Sequence, residues 1–361
     1  MLKAIKVSDF DWFLLGIAVA IAVIGAIEIY STSLDTPFAG AYRKQLLYIL
    51  LGCLGAFLVC AIDYHAILEH APWLFGLGVF ALTVLLFTRP VAGARRWFPL
   101  GFVTLQVSEL VKLVIIVGVA AILAERQDKS VTWKELLKLG ILVGLPAVLV
   151  ALEPDLGTAL TFVPIAAAGV LMVGVRVRHV ATLALLGVLM LPGAWHFLRP
   201  YQRDRVKSFI HPTEDTRGSH YQATQSKIAI GSGGFWGKGM GSGTQSRLGF
   251  IPVSRADFVF ASYSEEQGFV GTLFVILLYF VLLLRLLGVA QTAGDRAGAL
   301  LVVGLAALLF FQISVNVGMM IGFLPITGIP LPLMSQGGSS VLSTFLGLGM
   351  AMSVRMRRLV N

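Results

Sequence analysis

The sequence predicts an all-α polytopic membrane protein of about ten transmembrane helices, with one long structured extracytoplasmic loop between the seventh and the eighth. Three observations predict it. Hydrophobic residues make up 57% of the 361 and charged residues only 13%, against roughly 25% charged in a soluble domain. The mean hydropathy is +0.85, which is more apolar surface than one soluble core of this size can bury. The apolar residues also fall in runs, near 10–30, 45–62, 71–88, 107–125, 136–152, 157–175, 179–198, 263–288, 297–321 and 338–354. Each run is close to the 20 or so residues that a bilayer core demands. No heptad, low-complexity tract or internal repeat divides the chain, so residues 1–361 read as one integral membrane domain.

The first run follows Lys3 and Lys6 and contains Ala18-Val19-Ala20, a flank and a triplet like those of a signal peptide. The triplet lies mid-run and the apolar stretch continues to Ile27, so the segment reads as an uncleaved span. Gly and Pro recur in the later runs, as lipid-buried helices tolerate. Cys53 and Cys60 stand seven apart on the second run, about 10 Å along a helix and too far for a disulfide. They read as small packing residues. No Cys/His spacing suits a metal. Orientation follows from the short loops. With the N-terminus inside, the cytoplasmic segments hold thirteen Lys and Arg and the short outer loops five, which places both termini in the cytoplasm.

Residues 199–262 form the long connection and carry nine cations: Arg199, Arg203, Arg205, Lys207, Arg217, Lys227, Lys238, Arg247 and Arg255. Loops beyond about 12–15 residues are as a rule functional or disordered. Tyr201, Phe209, Tyr221, Phe235, Trp236, Phe250 and Phe258 argue for structure here. A basic, aromatic-bearing loop at headgroup level suits an anionic, phosphate-bearing partner. Simple contact with anionic membrane lipid would use the same charges.

Within that loop, the stretch from Gly231 to Gly243 holds seven glycines but fits neither nucleotide motif. Gly239 follows Lys238 where a Ser or Thr is needed, and no register gives G-x-G-x-x-G. It reads as a tight path through positive φ, whose N–H groups could hold an anion. Charges inside spans are more informative, since each costs about 2.5–3.5 kcal/mol at a helix centre. Glu109 and Lys112 stand at i, i+3 in the fourth run and can pair, either as a packing device or as part of a site. Asp155 opens the sixth run as an N-cap or a cavity carboxylate. Asp257, where the long loop re-enters the membrane, is placed to act as a general base. Glu265 and Glu266 read as favourable charges at a helix N-terminus. Two classes fit this outward-facing site: a transporter of an anionic lipid or solute, and a transferase using a lipid-linked phosphate donor.

Taken together, the motifs resemble the SEDS family (shape, elongation, division and sporulation). Gly93-Ala94-Arg95-Arg96-Trp97, leading to Gln106-Val107-Ser108-Glu109-Leu110-Val111-Lys112, is similar to the family's outer loop and fourth helix. Pro154-Asp155-Leu156-Gly157-Thr158-Ala159 matches a second signature. Pro200-Tyr201-Gln202, Arg205-Val206, Gln225 to Gly234, Gly237-Lys238-Gly239, Gly243-Thr244-Gln245 and Asp257-Phe258 match a third. The run from Pro325 to Pro332 and Gly337-Gly338-Ser339-Ser340 complete the set. The Gly-Lys-Gly and Gly-Thr-Gln steps resemble the RodA (elongation) branch more than the FtsW (division) branch. Gln336 stands where a tyrosine is usual, and Val253-Ser254-Arg255-Ala256 replaces the usual Glu-x-His-Thr.

The resemblance implies a peptidoglycan glycosyltransferase that polymerises lipid II by inverting transfer and releases undecaprenyl pyrophosphate. It implies Asp257 as the base, with Glu109, Lys112 and Asp155 lining a central cavity. Arg95, Arg96, Trp97 and Gln245 stand in the matching motifs as further binding or lining residues. Arg205, Lys227 and Lys238 are the loop cations expected to neutralise the pyrophosphate. A divalent cation (Mg2+ or Mn2+) could share that work, although the sequence shows no dedicated cage for one. The implied partner is a class B penicillin-binding protein, a transpeptidase, in the bacterial cytoplasmic membrane, with the active site on the outer face. No nucleic-acid partner is implied.

Overall fold

The computed structural model describes residues 10–34, 36, 38, 40–88, 95–100, 103–125, 130–210, 218–251 and 255–358. Lys3, Lys6, Gly93, Ala94, Arg217, Val253, Ser254 and both chain ends lie outside them. In chain order the elements are α1 (Trp12–Ser33), α2 (Ala41–Ala61), α3 (Tyr64–Glu69), α4 (Ala71–Leu86), β1 (Trp97–Leu100), β2 (Val103–Gln106), α5 (Val107–Ala124), α6 (Trp133–Leu152), α7 (Leu156–Leu160) and α8 (Phe162–Val173). Then follow α9 (Val177–Phe197), α10 (Pro200–Ile210), α11 (Ser219–Ser232), α12 (Thr244–Arg247), α13 (Val259–Gln291), α14 (Arg296–Ile321) and α15 (Gly338–Arg357).

Every predicted apolar run falls on helix. Among the described residues seven spans are long and apolar enough to cross a bilayer: α1, α2, α5, α6, α7 with α8, α13 and α14. α4 and the first part of α9 are shorter apolar helices. The expectation of an all-α chain is corrected at one place. β1 and β2 pair antiparallel, with Trp97 opposite Gln106, and β2 runs straight into α5, so the hairpin delivers Arg96 and Trp97 to the mouth of the bundle.

Helix packing follows membrane rules, in which small residues let backbones approach. A Cβ on Gly349 of α15 would lie 2.7 Å from the Ala56 carbonyl oxygen of α2. α14 runs through the middle, with Leu301, Leu305 and Leu309 buried. α9 stands outside, exposed along residues 181–190.

The two ends of the bundle differ in chemistry. At one end Asp11 caps α1 by accepting from the Leu14 N–H at 3.1 Å, and Arg285 at 2.9 Å and Arg355 also bind it. Asp295 there accepts from Tyr64 and pairs with His65, both at 2.9 Å. These bonds tie α1, α13 and α15 together, and α3 to α14. The opposite end carries the hairpin, α10 to α12, the turn before α13 and the loop joining α14 to α15.

Candidate active site

At that second end a cavity of about 550 Å³ opens, walled by α2, the hairpin, α5, the α6–α7 turn, the turn before α13 and the α14–α15 loop. Arg96, Trp97, Glu109, Asp155 and Asp257 all line it. Each is positioned by local structure. Asp155 caps α7 by accepting from the Thr158 N–H at 3.3 Å. It also accepts from Gln106 Nε2 at 3.1 Å and lies 3.7 Å from Arg96 Nε, so it is both a cap and a wall of the cavity. Arg96 donates to the carbonyls of Glu153, at 3.3 Å, and Pro154. Glu109 and Lys112 form the expected i, i+3 pair at 2.7 Å, both buried. Ser343 of α15 donates to the other Glu109 oxygen at 3.1 Å.

Asp257 is recessed in the cavity wall. Burial raises its carboxyl above the usual aspartate range; the Arg205 charge lowers it, Asp155 raises it further and Arg96 opposes. Arg205 and Asp257 face each other across Gly328: a Cβ there would lie 3.4 Å from Asp257 Oδ2 and 3.5 Å from Arg205 Nη1. No described residue donates a hydrogen bond to the Asp257 carboxylate, which leaves its oxygens open to a proton from the cavity. Glu153, in the α6–α7 turn two residues before Asp155, is buried, and among the described residues neither of its carboxyl oxygens has a partner. Burial, then Asp155, push its pKa up to about 8 against the pull of Arg96.

The other sequence candidates are distributed differently. Arg205 and Lys227 line an adjoining cavity of about 250 Å³. Arg95 is exposed and donates to the Leu86 carbonyl. Lys238 and Gln245 are a correction, because neither reaches the cavity. Lys238 Nζ bonds Glu265 at 2.6 Å and Thr244 at 2.9 Å, while the Gln245 N–H donates to Glu265 at 3.1 Å. The glycine-rich stretch is likewise no anion cradle at its centre. The N–H groups of Gly237, Lys238 and Gly239 are spent on the carbonyls of Gly233, Glu265 and Glu266. Its glycines do take positive φ, at Gly234, Gly237, Gly239 and Gly241.

Sequence reasoning missed Lys44, Gln45 and Tyr48 of α2, which line the cavity, and Glu153. A polar residue opening an apolar run was the available signal for Gln45. For Glu153 it was the carboxylate two residues before Asp155. Among the described residues no three His, Cys, Asp or Glu side chains converge as a metal-holding group. Arg96 lies beside Asp155 and Arg205 beside Asp257, so the donor set does not fit a resident divalent cation.

The chain matches the family model for cell cycle proteins of the FtsW, RodA and SpoVE type over residues 10–359. It is 35% identical to the peptidoglycan glycosyltransferase MrdB of Escherichia coli (strain K12), over 96% of this chain and 94% of that one. It is 33% identical to a probable peptidoglycan glycosyltransferase FtsW of Geobacter sp. (strain M18), over 98% of each chain. Among solved structures, one from a peptidoglycan synthase complex, described as coordinating polymerization and crosslinking, gives a TM-score of 0.83 at 31% identity, covering 98% of this chain and 99% of that one. The rod shape determining protein RodA of Thermus thermophilus gives 0.72 at 30% identity, covering 97% and 98%. Sequence and architecture agree over nearly the whole length: the chain belongs to the SEDS family, that of FtsW, RodA and SpoVE.

Proposed function

We propose that this chain polymerises glycan strands from lipid II at the outer face of the bacterial cytoplasmic membrane, as a RodA-type enzyme of cell elongation. The glycosyltransferase class follows from the family and from relatives named for that activity. The observation that carries the finer reading is Asp257: a cavity-lining carboxylate to which no described residue donates a hydrogen bond, with a guanidinium across Gly328. In the transfer, the acceptor's GlcNAc 4-hydroxyl attacks the donor's MurNAc C1. The new O–C1 bond forms as the bond from C1 to the pyrophosphate oxygen breaks, with inversion. The hydroxyl proton passes to Asp257, and undecaprenyl pyrophosphate leaves with the electron pair. A base so placed contributes about 10²–10⁴-fold. Arg205 and Arg96 meet the charge that develops on the pyrophosphate, Lys227 extends that surface, and no step runs through a metal.

The same reading extends to the arrangement in the membrane. Ten spans make a single membrane domain, both termini are cytoplasmic, and residues 199–262 lie outside. A class B penicillin-binding protein cross-links the product. That partner reading is supported by the likeness to a synthase complex that couples polymerization to crosslinking.

The test gives full-length protein, with its transpeptidase, labelled lipid II and looks for glycan ladders. Wild type is expected to make them. Asp257→Asn, folded to the same extent, is expected to lose at least a hundredfold in rate. Full activity in that variant would overturn the base, and transfer of lipid II between leaflets without polymer would replace the polymerase by a flippase.

A further inference from the structure

The turn that carries Asp257 has no cap of its own. Phe258 is the N-cap residue of α13 and its side chain makes no capping bond. Yet three successive carbonyls of this turn are each held from outside. Arg255 O accepts from the Gln336 N–H at 2.9 Å. Ala256 O accepts from Ser335 Oγ at 2.7 Å. Asp257 O accepts from Asn316 Nδ2 at 3.0 Å. All three donors lie on α14 or on the proline-rich loop that follows it, far away in sequence.

The brace is itself anchored. Asn316 is fully buried and its Nδ2 also donates to Ile329 O at 2.8 Å, so one amide binds the Asp257 turn to the proline-rich loop. Ser335 Oγ receives the Leu331 N–H at 2.8 Å while donating to Ala256. Gln45 of α2 holds the Ser335 carbonyl at 3.1 Å, and Tyr279 of α13 holds Pro332 O at 2.6 Å. Between these anchors Leu333 sits at φ 67°, a left-handed conformation that a leucine keeps only where its surroundings over-determine it. A loop under such constraint is a rigid reference against which a side chain can be aimed.

We propose that Ser335 and Asn316 are positioning residues that fix the Asp257 carboxylate at the cavity wall through the backbone of its turn. They touch neither substrate nor the reacting atoms. The inference rests on Asp257 being the base. A base held loosely still lets substrate bind but is less often within reach of the proton, and displacements near 1 Å cost about 10²-fold in comparable sites. The signature is therefore a fall in kcat with KM preserved.

The experiment measures polymerisation of labelled lipid II by full-length protein with its transpeptidase, comparing wild type, Ser335→Ala, Ser335→Thr and Asp257→Asn, each normalised to folded protein. Ser335→Ala is expected to lower kcat at least tenfold with KM within twofold. Ser335→Thr, which restores the hydroxyl, is expected to recover at least half the wild-type rate. Should Ser335→Ala not accumulate folded, Asn316→Leu removes the other donor at similar volume and carries the same expectation for kcat and KM. Unchanged kcat per folded molecule, a change confined to KM, or no recovery in Ser335→Thr would each overturn the brace. Activity retained in Asp257→Asn would instead sink the base, whatever the serine variants do.

Discussion

Glu265 and Asp257 stand eight residues apart and are built to opposite ends. Glu265 is saturated: its carboxylate accepts from Lys238 Nζ, Thr244 Oγ1, the Gln245 and Ser246 N–H groups and Ser246 Oγ, at 2.6 to 3.4 Å. Asp257 accepts none from the described residues at its carboxylate, while its backbone is held firmly. A carboxylate whose lone pairs are all engaged is an anchor, and its cation is part of the anchor. A carboxylate left open, with guanidinium groups at a distance, keeps its basicity for something that enters the cavity. The cations of the long loop thus divide into two populations that composition alone cannot separate.

The comparison breaks most visibly at the glycines of the anchor. Gly237 sits at φ 83°, and a Cβ there would lie 2.2 Å from the Glu266 carbonyl oxygen. The partner glycine on α13, Gly268, would put its Cβ at the same 2.2 Å from the Gly237 nitrogen. Gly237→Ala is expected to cost about 4 kcal/mol or more, seen as loss of folded protein in detergent. Gly231→Ala, in α11 with nothing within 4 Å, is expected to leave stability unchanged or raise it by about 0.5–1 kcal/mol.

The two cations come next. Arg205→Ala is expected to lower kcat about 10²–10³-fold, or about 2.7–4 kcal/mol, with the melting temperature unmoved. Lys238→Ala is expected to do the reverse. Removing a charged partner from Glu265 costs about 1–3 kcal/mol of stability, with kcat per folded molecule preserved. Thermal melts and ladder assays on the same preparations decide it, and equal effects of both variants on kcat would merge the two populations again.

Much of this was legible beforehand, and the reasons are physical. Apolar runs of span length have few alternatives to helix in a bilayer, so the helices emerged near their expected limits. Glu109 with Lys112 was readable because an intramembrane charge must find a partner and i, i+3 supplies one. Loop charge and motif membership point to Lys238 and Gln245 without saying where they dock, and the chain folds back so that their stretch meets α13 at Glu265. Ser335, Asn316 and Gln45 escaped notice because they are uncharged and their partners lie far away in sequence. Contacts of that kind leave no periodicity to find.

pH sharpens the difference between open and saturated groups. Asp257 must be ionised to take a proton, and its pKa lies above the ordinary aspartate value of 3.8. The rate should therefore fall with decreasing pH sooner than an unperturbed aspartate would dictate. Arg205 is the largest influence lowering that pKa, so Arg205→Ala should move the acid limb of kcat to higher pH. Arg96→Ala should do so by less. A limb that stays fixed in Arg205→Ala would show that another group sets it.

The smallest effect, at acid pH, belongs to Glu153, which is neither open nor saturated. Among the described residues neither of its buried oxygens has a partner, a placement that an ionised carboxylate tolerates poorly and a neutral one far better. Its folded pKa near 8, against an ordinary 4.5, means that the folded state holds a proton that the unfolded chain releases in between. That contribution to stability is complete below about pH 4.5 and is lost as pH rises through 8. Below about pH 4.5 the side chain is neutral in both states, so there Glu153→Gln should change stability little, within about 0.5 kcal/mol. From about pH 5 up to pH 8 the variant should melt increasingly higher than wild type, because it has no proton to lose on unfolding, and above pH 8 the gap should stay constant. Melting curves that stay parallel from pH 6 to pH 9 would mean that Glu153 is ionised throughout, its charge balanced by Arg96, and would move it into the same class as Glu265.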